Sequence, residues 1–168
     1  MTLEFSRFVD VRHLPEKPIH LAADADERAA LAVRFAIEAI DRLEAEIALD
    51  RSGGAVTAEG RIEAAIVQAC AVSGEPFATE IAEGVALRFV HDAAAHRPDQ
   101  EIEIDAADCD EIAFEGTQFD LGEAIAQTLA LAIDPYATGP EAERVRREAG
   151  LSDEASSGPF AALAALKK

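Results

Sequence analysis

The sequence predicts an α+β domain: an antiparallel β-meander or partial barrel covered by one or two helices, with a flexible C-terminal tail. Three observations predict it. From Leu43 to Val90 large apolar residues favour alternate positions, with turn signals at Ser52-Gly53-Gly54 and at Ser73-Gly74-Glu75-Pro76. Outside that span, two segments show helical spacing behind an acidic cap. Past residue 136 the chain becomes breaker-rich and polar, which divides it into a domain over 1–136 and a tether over 137–168 ending in a short amphipathic helix.

The elements follow in order. Phe5, Phe8, Val9 and Val11 lie ahead of Pro15 and Pro18 and predict one strand, bulged, at about 4–13, which joins the meander. Ile19-His20-Leu21 is a second short extended piece. Asp24 followed by Glu27 reads as a capping box, and Leu31 and Phe35 share one face, so a helix is expected over about 25–36. Leu43, Ala45, Ile47 and Leu49 then oppose Glu44, Glu46 and Asp50, giving a strand over 42–50. Glycine at the Ser52–Gly54 turn reaches positive φ without steric cost. A strand over 55–72 carries Val56, Ile62, Ile66, Cys70 and Val72 on its dry face. A third over 77–91 carries Phe77, Ile81, Val85, Leu87 and Phe89. One wet face and one dry face make a meander that needs a cover. Asp99 to Glu111 holds seven acids and reads as a loop, with at most a short strand at 102–104; Ile112–Phe114 is one more short strand. Asp120 and Glu123 open a helix over about 120–133 whose Leu121, Ile125, Leu129 and Ile133 make it the expected cover; Asp134-Pro135 ends it. Residues 137–157 are expected to be disordered or weakly helical.

Composition narrows the function. At 168 residues the chain suits one domain, and with 49% apolar residues, 5% aromatics and no Trp its core is aliphatic. The formal charge of −18 repels phosphate and attracts basic partners. Arg144, Arg146 and Arg147 are interleaved with Glu141, Glu143 and Glu148, the pattern of a solvated helix face. Cys70 and Cys109 make no disulfide framework. No leader and no apolar run near the ~18 residues of a membrane span is visible, so a cytoplasmic location with reduced thiols and no membrane partner is expected.

Catalytic and cofactor motifs are not found. A structural zinc site wants four Cys or His ligands. Cys70-Ala71-Val72-Ser73 supplies one, Cys109 has no second Cys nearby, and Cys70 reads as a buried core thiol. His91 and His96 are spaced for neither a helix face nor a strand face. No nucleophile elbow, phosphate loop or dinucleotide fingerprint is present. The expectation is therefore no metal, no cofactor and no enzyme. The site-like feature is the terminal segment with Pro159, Phe160, Leu163, Leu166 and Lys167, a proline-led amphipathic turn or two on a polar tether. It fits either its own sheet or a partner's groove.

Several pieces of the chain, in order, resemble the YceD family, the large-ribosomal-RNA-subunit accumulation proteins. They are the capped helix and strand from Leu31 to Leu49, the strand from Gly60 to Cys70, and the turn Cys70, Ser73, Glu75, Pro76, Phe77. The helix start Phe119-Asp120-Leu121 and the Pro159-Phe160-x-x-Leu163-x-x-Leu166-Lys167 ending complete the set. In many relatives a Cys-x-x-Cys pair stands just before the Glu-Pro, and some carry a second cysteine cluster after the second helix. Here Ser73 replaces one cysteine of the pair, and residues 136–151 carry neither Cys nor His, which places the chain in a metal-free branch. The resemblance implies a non-enzymatic role in accumulation or processing of large-subunit ribosomal RNA. With the charge, it implies a basic ribosomal protein or assembly factor as partner and an indirect link to ribosomal RNA. The alternative is a small-molecule-binding or enzymatic α+β domain with its pocket between helix 120–133 and the sheet.

Overall fold

The computed structural model describes residues 4–91 and 111–150. Its elements are β1 (Phe8–Asp10), β2 (Ile19–Ala22), α1 (Ala25–Phe35), β3 (Ala39–Ser52), β4 (Ala55–Ala69), β5 (Pro76–His91), β6 (Glu111–Phe114), β7 (Gln118–Asp120), α2 (Leu121–Ala132) and α3 (Ala142–Glu148). An open five-stranded sheet runs in the order β2-β3-β4-β5-β6, and β1 pairs separately with β7. All neighbours in the larger sheet are antiparallel except β5 and β6, which are parallel through Arg88–His91 and Glu111–Phe114. The architecture is the α+β class that the alternating strands and capped helices predict.

The two-residue period becomes burial where a layer covers it. Leu43, Ala45 and Ile47 on β3 and Ala58, Ile62, Ala64 and Ile66 on β4 are buried, while Glu46 and Glu59 face water. Gly53, at φ 61°, lets β3 turn directly into β4 with Ser52 opposite Ala55. Gly60 instead permits a close approach of two strands. A Cβ there would run into the Glu46 carbonyl oxygen on β3, so only hydrogen fits.

Each helix starts where its acidic cap lies. Asp24 accepts the N–H groups of Asp26 and Glu27 at 2.9 Å, and the Glu27 carboxylate accepts the Asp24 N–H at 2.9 Å. Both halves of the capping box are therefore made. In α2 only one half forms: Asp120 accepts the Glu123 N–H at 3.1 Å, and Glu123 turns instead to Arg34 on α1 at 2.7 Å. α1 packs on β3, and α2 on β4 and β5. Leu31, Leu121, Ile125 and Leu129 are fully buried, each contributing about 1.5–3 kcal/mol relative to exposure. Phe89 stacks on Phe119 at 4.0 Å and closes one end of the core.

The N-terminal segment departs from expectation. The predicted strand at about 4–13 does not join the meander: β1 spans three residues and pairs with β7. The position beside β3 is taken by β2, with Ile19 opposite Ile47. The segment instead spends its polar groups on the helix caps. Arg7 N–H donates to Asp120 at 2.8 Å, Leu121 N–H donates to the Arg7 carbonyl at 3.0 Å, and the Arg7 guanidinium grips Glu27 at 2.6 and 2.9 Å. Phe5 is buried, and a Cβ at Gly122 would lie 2.7 Å from the Phe5 carbonyl oxygen, which shows how closely this strap crosses α2.

One further difference concerns length. β4 ends at Ala69, so Cys70 and Val72 belong to a turn and not to the predicted strand over 55–72. The stretch after α2 contains α3, whose Arg144 bridges Glu141 at 2.7 Å and Glu148 at 2.8 Å, the solvated pattern read from the sequence. The 102–104 segment, Cys109 and His96 lie outside the described residues. Among the described residues no helix is long and apolar enough to cross a membrane.

Candidate functional site at the turn between β4 and β5

The turn is built from the residues the sequence singles out. Cys70 N–H donates to the Glu75 carbonyl at 2.8 Å, and Gly74 N–H returns to the Cys70 carbonyl at 2.8 Å. Gly74 takes φ 73°, the left-handed region that closes the loop. The Ser73 hydroxyl accepts the Glu75 N–H at 3.2 Å, a short local bond of the kind serine makes in turns. Pro76 then opens β5 and Phe77 pairs with Gln68, the one buried polar side chain among the described residues.

Cys70 is 3% exposed, as expected, yet its surroundings differ from those read from the sequence. The expectation of a thiol on the core face between strands is corrected. The sulfur accepts the N–H groups of Val72 and Ser73, both at 3.4 Å, inside the turn. The Ser73 hydroxyl is the main cause that brings the thiol down from 9.0 to about 6, with the Ser73 N–H next and burial opposing. The strand ends one residue too early for Cys70 to reach the aliphatic layer, so the turn's own donors face it.

The structure also brings in residues the sequence left in the tether. Ala71 N–H donates to the Ala137 carbonyl at 3.0 Å. A Cβ at Gly139 would lie 3.1 Å from the Phe77 ring, so the chain after α2 lies flat on that ring. Gly139, Pro140 and Glu141 complete one small hollow with Cys70, Ser73, Glu75, Pro76 and Phe77. Thr138-Gly139-Pro140 was legible as a chain break; its docking on the turn was not, because nothing in a breaker cluster names what it packs against.

Zinc does not fit this donor set. A tetrahedral structural site draws on thiolates and imidazoles. Here one thiol faces a hydroxyl, and residues 137–141 opposite it supply no sulfur or imidazole. Among the described residues no group of three or more His, Cys, Asp or Glu side chains is placed to hold a metal. The predicted tail residues Pro159, Phe160, Leu163, Leu166 and Lys167 lie outside the described residues.

The space under α2 is filled by Ile62, Ile66, Leu121, Ile125 and Leu129. A hollow beside it, lined by residues that include Phe89, Phe114, Phe119 and Gln127, has a volume near 160 Å³. That is below the ~300 Å³ at which small-molecule pockets begin.

A family model described as "Large ribosomal RNA subunit accumulation protein YceD" matches residues 58–167, more than half of the chain. No curated protein and no solved structure matches it.

Proposed function

We propose, from the premise that this chain belongs to the YceD family of large ribosomal RNA subunit accumulation proteins, that it is a non-enzymatic ribosome-biogenesis factor acting through a basic protein. The family match carries the pathway: accumulation of large-subunit ribosomal RNA. The charge of −18 supports the choice of partner, because complementary fields speed encounter with a basic ribosomal protein or assembly factor and oppose encounter with phosphate.

The outer face of the sheet supports the same choice. Arg42 stands 3.0 Å from Glu80 and 3.4 Å from Glu63, Arg61 stands 2.5 Å from Glu63, and Arg88 pairs with Glu111. Each of these guanidinium groups already has a carboxylate, so neutralising a phosphate would first break an ion pair. Ribosomal RNA is then reached through the protein partner. The segment Pro159–Lys168 serves as an auxiliary docking element on its polar tether.

The test is affinity capture from native lysate, with and without nuclease, read by mass spectrometry. A basic large-subunit protein should be retained after nuclease treatment, and retention should weaken as salt rises through screening of exposed charge. Deleting residues 158–168 should weaken the complex without unfolding the domain. Nanomolar binding to ribosomal RNA fragments with no protein present, or unchanged large-subunit RNA levels after removal of the gene, would overturn the reading.

A further inference from the structure

We propose that the outer edge of β5, from Pro76 to Leu87, is a strand-docking site that takes an extended segment of a basic protein by β-augmentation. The inference deepens the function proposed above and rests on it for the partner's basic character.

The ladder gives the direction of every backbone group. Cys70 N–H donates to the Glu75 carbonyl, which makes that pair a bonded one. The same register continues without a shift from Ala69–Pro76 to Ala55–Val90. Bonded and non-bonded pairs alternate in an antiparallel ladder. The odd-numbered residues of β5 therefore bond to β4, and Ala78, Glu80, Ala82, Gly84 and Ala86 turn their N–H and C=O groups away from it. Pro76 falls in this second set, where its missing N–H removes no bond to β4. On the outward side β6 meets only Arg88–His91. Among the described residues no strand pairs with Pro76–Leu87 on that side.

Among the described residues this edge lacks most of the usual protection. Sheets blunt exposed edges with short strands, lysines, prolines or bulges. β5 is 16 residues long, has no register shift against β4, and carries neither Lys nor a proline after Pro76. The side chains of the outward-bonding residues are small apart from Glu80, so an incoming backbone meets little obstruction. The charges present are acidic: Glu80 shares Arg42 with Glu44 and Glu63 and keeps a 72% exposed side chain, and Glu83 is exposed. They select the occupant. A second copy would bring another chain of −18, and RNA would bring phosphates, so both meet like charge. A strand with Lys or Arg on its wet side, and with apolar residues and a further Lys or Arg on its dry side, would meet Glu80 on one face and half-buried Ile81 beside exposed Glu83 on the other.

Ala82→Pro separates the edge from the fold. Its N–H faces outward and its side chain is exposed, so proline blocks an added strand while leaving the β4–β5 bonds in place. The full chain, wild type or Ala82→Pro, is immobilised and offered the RNA-free total protein of large ribosomal subunits. Amide exchange is followed in the free and bound states, and thermal melts check that the variant is folded. The expected result is that wild type retains a basic protein, that retention falls about tenfold or more in Ala82→Pro, and that the Ala78, Glu80 and Gly84 amides slow on binding. Equal retention by a folded variant overturns the edge site and leaves the basic partner standing. Slow exchange of those amides in the free chain overturns it too, because the chain's own residues then cover the edge. So does dimerisation that Ala82→Pro abolishes. Retention of no protein, or binding to ribosomal RNA alone, overturns both this inference and the reading beneath it.

Discussion

β3 and β5 flank the same central strand and carry the same two-residue period, yet they live in different surroundings. β3 has β4 along its length and β2 on its other side, with α1 over its dry face, and Leu43, Ala45 and Ile47 are buried. β5 has β4 on one side and, among the described residues, β6 only at its last four positions. Of its dry-face residues Val85 and Phe89 are buried, Phe77, Ile81 and Leu87 are half-buried, and Glu83 is exposed. Alternation says which way a side chain points; how deep it ends depends on what stands beyond it. Among the described residues the core is thus thick on the β3 side and thin along the first part of β5.

That contrast should appear first in truncations. Ile47, 0% exposed, should lose about 4 kcal/mol on change to Ala, whereas Ile81→Ala should lose about 1 kcal/mol. Chemical denaturation of both variants measures the difference, and equal losses would break the comparison. Next come the glycines. Gly60→Ala forces β3 and β4 apart at the Glu46 carbonyl and should cost about 2–3 kcal/mol. Gly84→Ala, with nothing within 4 Å of the new Cβ, should be neutral or stabilise by about 0.5 kcal/mol. A cost at Gly84 equal to that at Gly60 would break the comparison.

The last expected effect belongs to the turn that separates β4 from β5 and is read as a pH dependence. The Cys70 thiol is lowered from 9.0 to about 6 in the folded chain. A depressed acid favours the folded state above its unfolded pKa, and that contribution fades as pH falls through the folded value. Wild type should therefore gain stability relative to Cys70→Ala as pH rises from about 6 to 9. Melting temperatures of the pair across that range measure it; a constant gap would show that the Ser73 donors do not hold the thiolate.

Much of this was legible, for identifiable reasons. Asp24 with Glu27 marked α1 to within a residue because a capping box is a local interaction among neighbours in sequence. Asp120 marked α2 in the same way, and Ser52-Gly53-Gly54 marked the β3–β4 turn because positive φ is a property of single residues. The turn residues Cys70, Ser73, Glu75, Pro76 and Phe77 do come together, since they are adjacent in the chain. What escaped the sequence was pairing at long range. Nothing in Phe8-Val9-Asp10 names Gln118–Asp120 as its partner, and nothing in Ala137 or Gly139 names the Cys70 turn. A second route was charge: the 3.6-residue period does not reveal that Glu123 would leave its own cap for Arg34.

The sequence by itself determined the class, the dry and wet faces of three long strands, the helix starts, the acidic field and the family. These follow from period, from capping and from composition, all of which act within a few residues or sum over the whole chain. Only the tertiary structure decided that β2 and not β1 lies beside β3, that β6 joins β5 in parallel, and that the Cys70 sulfur rests among turn amides and not in the aliphatic layer. It also left the outer side of Pro76–Leu87 without a paired strand among the described residues. Those outcomes depend on which distant backbone groups satisfy one another, and a hydrogen-bond donor carries no sequence record of its partner.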